Sequence, residues 1–569
     1  MKGRHWLGIL ALLLGAFLIF AGLGCVPLML PDEGRNAEVA REMKESGAWL
    51  VPTYNGLPYL DKPSFYFRTV ALSFALLSET ETAARLSSAL FGFALLVMTF
   101  AFCRREYGGQ AAAMAVIVVS TAPLYLAFSR LVIMDMTLAF FVCGAIFAGY
   151  IAEQHDGHVR MRWYLVGAAS SAFATLVKGP IGFVLPGLVL GVFNLFDRRR
   201  GALKRLFAPL NIVIFFAITL PWFLGVNHRH PDFAYYGLIE ESFHRYTTTE
   251  FRRTGPIYYY VPWIIGGFFP WSVLLPESVV AACRARSRWS SADRLLIVWV
   301  VVVIVFFSLS KSKRPDYVLS AAVALGALTA RVFVSAIENR TGPAFRLVNR
   351  GTVALGSIGV AAACGLAVAA TQPRSFEKLI KMQSDQHMLF AAVCVRLAAA
   401  LLLAAVLAAV ARWRRDPRVM FAAFVLLSLA LLTVGFDGIR LYAHGKSARA
   451  LADRIPALPA DAEFACLQCY PTGLSFYRKQ LVTVLTKDGD ELTSNYIVFM
   501  LKKTKSWPSS VVPLEDRDRR LAARVHPVYL LARRNAADDL DSIAAVCHTR
   551  VAALGGGWWG ALLPAPGGS

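Results

Sequence analysis

Apolar runs of bilayer-crossing length alternate with short polar breaks along most of this chain. A membrane span needs about 20 apolar residues, and on that criterion about thirteen stretches qualify. They lie near residues 6–26, 84–103, 111–128, 132–150, 163–177, 180–196, 209–226, 259–280, 293–310, 317–336, 351–370, 388–411 and 419–436. The first run begins basic, with Lys2 and Arg4, and shows no small-residue cleavage site before Pro31, so it reads as an uncleaved first span. Threading the chain through these spans from a cytoplasmic N-terminus brings six basic clusters to one face: Arg104-Arg105, Arg160 with Arg162, Arg198 to Arg205, Arg284 to Arg288, Arg340 to Arg350, and Arg412 to Arg418. Loops rich in Lys and Arg stay in the cytoplasm, so that face is inside.

The opposite face receives segments of another kind, mixing charge, aromatics and proline. The longest runs from Leu28 to Phe67. It opens on Asp32 and Glu33, continues through Arg35, Glu38, Arg41, Glu42 and Lys44 with apolar residues between, and ends in Asp61-Lys62-Pro63 among aromatics. That spacing predicts an amphipathic helix lying against the headgroups. Ser129-Arg130 to Asp135, Lys178-Gly179-Pro180, the loop from Asn227 to Tyr258, and Ser310 to Tyr317 share this face. Ionisable groups gathered at one end of a bundle favour an enzyme at the membrane surface over a transporter, whose polar residues lie near the midplane at broken helices.

Composition agrees with the span pattern. Of 569 residues, 56% are hydrophobic and 17% charged, which belongs to a polytopic membrane protein and excludes a soluble enzyme of this size. The net charge of +22 would suggest nucleic acid in a soluble protein. Here the cations sit in loops, where they set topology and meet anionic membrane lipid, so no nucleic-acid partner is expected. After Asp437 the character changes: runs such as LVTVL and YIVFML read as strands of a small α/β domain, residues 437–569, outside the membrane. In an oxidising compartment Cys466 and Cys469 would form a local disulfide, or one of them would bridge to Cys547. The Gly- and Trp-containing tail GGGWWGALLPAPGGS shows no evident structure.

The order Pro31-Asp32-Glu33-Gly34-Arg35, Ala37-Glu38, Arg41-Glu42-Met43, Ser46-Gly47, Trp49, Val51-Pro52 and Tyr59-Leu60-Asp61-Lys62-Pro63 resembles the first outward loop of the aminoarabinose transferases that modify lipid A. These are bacterial relatives of the protein O-mannosyltransferases, with the C-type glycosyltransferase fold. The resemblance extends through Ser129-Arg130, Asp135, Lys178-Gly179-Pro180, Pro231-Asp232-Phe233, Arg245-Tyr246 and Ser310-Lys311 to Tyr317, and so covers most of residues 1–436. It implies an α-helical polytopic membrane glycosyltransferase with a small α/β C-terminal extracytoplasmic domain. The donor would be a sugar on undecaprenyl phosphate and the acceptor lipid A or another envelope component. The protein would act as a monomer facing the periplasm from the inner membrane. A relative with a different donor sugar or acceptor, and a polyprenyl-phosphate transporter without chemistry, are the rival readings.

The residues suit such a transfer. A lipid-linked sugar leaves behind a phosphate, and cations that neutralise the developing charge assist its departure. Lys62, Arg35, Arg130, Lys178, Arg245 and Lys311 are the candidates, with Tyr317 beside them; each alone is equally a snorkelling headgroup contact. Asp32 matches the family's catalytic aspartate and would take the proton of an acceptor hydroxyl; its ordinary use in such a place is to cap the following helix. Asp135 interrupts an apolar run and needs a partner, with Arg130 and Lys62 the candidates, whether for catalysis or as a structural ion pair. The resemblance also implies a divalent ion near the donor phosphate, held by Asp61 and a loop histidine. Ser242 stands where that histidine is usual, leaving His244, two residues and about 200° further round a helix. Ser320 replaces a proline often found after the Ser-Lys loop.

Overall fold

In the computed structural model, which describes residues 5–244, 247, 254–284, 289–376, 387–504 and 507–566, the chain is a helical bundle carrying one mixed sheet. Eight helices among the described residues are long and apolar enough to cross a membrane, and three shorter apolar helices, Trp6–Phe20, Phe65–Leu77 and Ile181–Phe196, accompany them. The protein is a multi-pass membrane protein.

The expected spans differ from the observed helices where glycine and proline intervene. Residues 84–103 and 111–120 belong to one 40-residue stretch, Glu81–Ser120, whose helical path breaks at Gly108 (φ 86°), a left-handed conformation that glycine adopts without steric penalty. The remainder of the expected 111–128 span is a separate short helix, Pro123–Ser129, with proline at its first turn. The expected span 259–280 is broken as well: helix Tyr260–Gly267 stops before Pro270, a single 3₁₀ turn Trp271–Leu274 follows, and Leu275–Arg284 starts afresh. A proline lacks the N–H needed to continue a helix. Trp271 fills the resulting corner, stacking on Phe424 at 5.4 Å between ring centroids.

The helix α2, Asp32–Ser46, corrects the expectation of a surface helix at the headgroups. Ten of its residues, Glu33 to Met43 with Arg35 excepted, are buried. Burial of so polar a segment is tolerated because its charges are paired. Arg41 grips Glu38 through Nε (2.7 Å) and Nη2 (2.6 Å), and Glu42 accepts from the amides of Asn55 (2.6 Å) and Gly56 (3.0 Å). The helix ends at Gly47 (φ 68°), a left-handed C-terminal stop.

Strands β1 (Thr53–Tyr54) and β2 (Leu57–Pro58) pair as a short antiparallel ribbon. In the larger sheet β3 (Glu463–Leu467), β4 (Thr483–Thr486), β5 (Val511–Pro513) and β6 (Val528–Arg533) run parallel, while β8 (Trp558–Leu563) pairs antiparallel with β6 and with β7 (Ala552–Gly555), giving the order β5-β4-β3-β6-β8-β7. LVTVL supplies β4 as its β-branched residues suggest. YIVFML instead forms most of a helix, Asn495–Lys503, because Ser494 accepts from the Ile497 amide at 3.3 Å and starts a helical turn. The tail is ordered too: Gly555, Gly556 and Gly557, all at positive φ, turn the β7–β8 hairpin. The boundary expected at Asp437 falls inside helix Pro417–Gly445.

No disulfide joins the C-terminal cysteines. Cys466, Cys469 and Cys547 are free thiols, Cys466 buried in β3 and Cys469 donating to the Leu531 carbonyl at 3.5 Å. Burial, with Cys469 alongside, pushes the Cys466 thiol well above its ordinary range, so it is a packing residue and not a reactive one.

Candidate active site

The ends of α6 (Asp135–Ala152), α7 (Gly157–Lys178) and helix Leu319–Glu338 meet at one end of the bundle, around a cavity of about 390 Å³. Lys62, Asp135, Lys178, Glu241, Asp316 and Tyr317 line it on the polar side. Leu138, Ala139, Val142, Val184, Leu185 and Phe307 continue it as an apolar wall. Gly179 (φ 81°) ends α7 just after Lys178 and turns the chain into Pro180, leaving the lysine at the mouth.

Lys178 organises the polar end. Its ammonium pairs with Asp135, reaches Asp316 Oδ2 at 3.1 Å, and lies 5.1 Å from the centre of the Tyr317 ring. Asp135 therefore has Lys178 as its partner, not Arg130 or Lys62 as expected. Arg314 extends the chain of charges: Nε donates to Asp316 Oδ1 at 2.9 Å and Nη2 to Asp32 Oδ2 at 3.2 Å. Burial alone would lower the Arg314 guanidinium, but Asp316 and Asp32 outweigh it and hold the group above its ordinary value. An unbroken line of ion pairs thus runs from Asp135 through Lys178, Asp316 and Arg314 to Asp32. Lys62 enters from the other side, bonded to Glu241 and to its neighbour's carbonyl, Asp61 O, at 2.8 Å.

Asp32 does not cap α2. Pro31 occupies the cap position without a side-chain bond, and the Asp32 carboxylate goes to Arg35 and Arg314. Arg35 is held in turn by the C-terminal region, its Nη1 donating to Thr493 O (2.7 Å) and Oγ1 (3.2 Å).

Other candidates lie elsewhere. Arg130 faces away from the cavity, donating to the carbonyls of Leu18 (2.8 Å), Ile19 (2.9 Å) and Gly22 (3.1 Å), where it closes the end of α1 (His5–Phe20). Cations at a helix C-terminus satisfy its orphan carbonyls, and that is the use made of it. Lys311 is exposed and does not line the cavity, whereas Lys313 is buried and donates to the Ser308 carbonyl at 2.7 Å. Arg245 and Tyr246 lie outside the described residues.

The metal pair expected of Asp61 and His244 is not assembled. Asp61 accepts from Tyr236 Oη (2.8 Å), Asn495 N (3.2 Å) and Tyr496 N (2.7 Å), so both its oxygens serve the start of the Asn495–Lys503 helix. His244 Nδ1 lies 3.3 Å from Glu240. Among the described residues no group of three or more His, Cys, Asp or Glu is arranged to hold a metal ion.

Sequence reasoning missed Arg314, Asp316 and Glu241. For the first two a signal existed: a proline after Arg314 and a tyrosine after Asp316 start a 3₁₀ turn, Pro315–Val318, that points Asp316 inward.

A helical membrane bundle with a paired-charge site over an apolar cavity and a sheet beyond the last span is the architecture of the C-type glycosyltransferases. Residues 61–224 match the family of dolichyl-phosphate-mannose-protein mannosyltransferases. The chain is 30% identical over 346 residues to an undecaprenyl phosphate-α-4-amino-4-deoxy-L-arabinose arabinosyl transferase of Shewanella sediminis, covering 60% of this chain and 62% of that one. It is 29% identical over 377 residues to the corresponding protein of Pseudomonas savastanoi, covering 62% and 66%. The chain thus spans somewhat under two thirds of these relatives' length. The crystal structure of ArnT from Cupriavidus metallidurans bound to undecaprenyl phosphate superposes with a TM-score of 0.81 at 28% identity, covering 98% of each chain. In sequence and fold the chain is similar to the aminoarabinose transferases and, over residues 61–224, to the protein mannosyltransferases.

Proposed function

We propose that the chain is a polyprenyl-phosphate-dependent glycosyltransferase that moves an aminoarabinose-like sugar from undecaprenyl phosphate to lipid A or a related envelope acceptor. It works at the periplasmic side of the bacterial inner membrane, with residues 437–569 as the periplasmic part. The observation that carries this reading is the division of the cavity, where Lys62 and Lys178 stand over a wall of Leu, Val, Ala and Phe. An isoprenoid chain suits the wall and its phosphate the two ammonium groups. Both lysines pair with carboxylates, Lys62 with Glu241 and Lys178 with Asp135, so a donor phosphate would share these ammonium groups with them. As the sugar departs, Lys62 and Lys178 offset the charge growing on the phosphate oxygens. Asp32, fixed by Arg35 and Arg314, accepts the proton of an acceptor hydroxyl or orients an acceptor phosphate that is already ionised. The superposition with a structure bound to undecaprenyl phosphate supports the donor class.

Mass spectrometry of envelope lipids from cells with and without the protein tests the reading. A pentose-amine increment on lipid A that depends on the protein is expected; an increment on another molecule, or none, refutes the acceptor or the activity.

A further inference from the structure

The four residues Thr493 to Tyr496 touch the site at three places. Thr493 offers its carbonyl and hydroxyl to Arg35, the partner of Asp32. Asn495 donates its side-chain amide to Glu241 Oε2 at 3.3 Å, the carboxylate that bonds Lys62. The amides of Asn495 and Tyr496 hold Asp61, whose carbonyl accepts from Lys62. Thr493 adopts φ 55°, a left-handed conformation unfavourable for a β-branched residue. Strain of this kind persists only where the surroundings over-determine it.

We infer that the segment Thr493–Tyr496 is a positioning clasp, which sets how tightly Lys62 is held by Glu241 and how Arg35 presents Asp32. Resting on the function proposed above, the inference assigns the C-terminal region a part in donor binding. Asn495 neutralises part of the Glu241 acceptor capacity by hydrogen bonding, leaving Lys62 exchangeable for phosphate. A carboxylate in its place would deepen the local negative field, hold the Lys62 ammonium more firmly and repel the incoming phosphate.

Asn495→Asp tests this, because the side chain is exposed and aspartate in the first turn suits the helix dipole, which offsets the repulsion from Glu241. With the full chain in detergent, undecaprenyl phosphate is expected to bind about tenfold more weakly to Asn495→Asp, with Asn495→Ala between it and the parent. A second readout needs no donor: labelling of Lys62 by acetic anhydride, followed by mass spectrometry, should slow several-fold in Asn495→Asp. Parental affinity and parental Lys62 labelling in that variant would overturn the clasp. If the parent itself binds no undecaprenyl phosphate, the proposed function fails, while the Lys62 labelling rate still decides the clasp.

Discussion

Asp32 and Glu33 are adjacent carboxylates that the fold uses in opposite ways. The Glu33 side chain is 2% exposed and accepts from Arg85 Nε and Nη2, the Met29 amide and the Val132 amide, all within 3.0 Å. Arg85 adds bonds to the carbonyls of Leu23, Val26 and Pro27, so this pair rivets the chain between α1 and α2 to the bundle. The Asp32 side chain is 22% exposed, and of its two arginine partners Arg35 lies one turn further along α2 and Arg314 in the 310–317 loop. A saturated, buried carboxylate has no capacity left for chemistry, whereas a charged and partly open one can exchange partners. Identity and sequence position do not separate the two; their partners do.

The sharpest break of this contrast is Asp32→Asn, which should lower transfer by about 10²–10⁴-fold, the usual contribution of a positioned acid or base. Its Tm should stay near the parent's; a parental turnover rate would remove Asp32 from the chemistry. The complementary change, Arg85→Met, leaves the Glu33 charge buried without its main partner and should cost about 3–5 kcal/mol of stability. Detergent-solubilised unfolding measures it, and activity per folded molecule should hold.

Glu38 sharpens the comparison through pH. Burial, against the pull of Arg41, pushes its carboxyl up from the ordinary 4.5 to about 7. The folded protein therefore binds this proton more tightly than the unfolded chain, and the stability it contributes is complete below pH 4.5 and lost as pH rises through 7. Glu38→Gln should flatten Tm against pH across that window; an unchanged slope would assign the titration elsewhere. The smallest effect is expected from Lys311→Ala, whose exposed charge should alter donor KM by less than about threefold.

Much of this was legible from the sequence because it rests on local signals. Lys62, Asp135 and Lys178 meet at one cavity, as polar residues set at the same ends of apolar runs imply, whereas Asp32, expected with them, does not line it and is joined to it through Arg314. Within Ser310 to Tyr317, however, Lys311, Lys313 and Arg314 carry the same charge, and only the turn geometry sends Lys313 to backbone carbonyls and Arg314 to Asp32. The position of α2 was hidden for a different reason. Its polarity argues for a wet surface, and its burial depends on partners as distant as Arg85 and the C-terminal loop. Gly34 shows how close that loop comes: a Cβ there would lie 2.8 Å from Gly473 Cα. No periodicity within 15 residues reports such a neighbour.

Asn55 exchanges two hydrogen bonds with the backbone of Val482, 427 residues later in the chain. During synthesis the first outward loop emerges early, yet Val482, just before β4, is made only after the last apolar helix, Pro417–Arg440. Until then the loop has its ion pairs but lacks the hydrogen bonds that Val482, Thr493, Asn495 and Tyr496 make with Asn55, Arg35 and Asp61, so these contacts close only after the helices have been made.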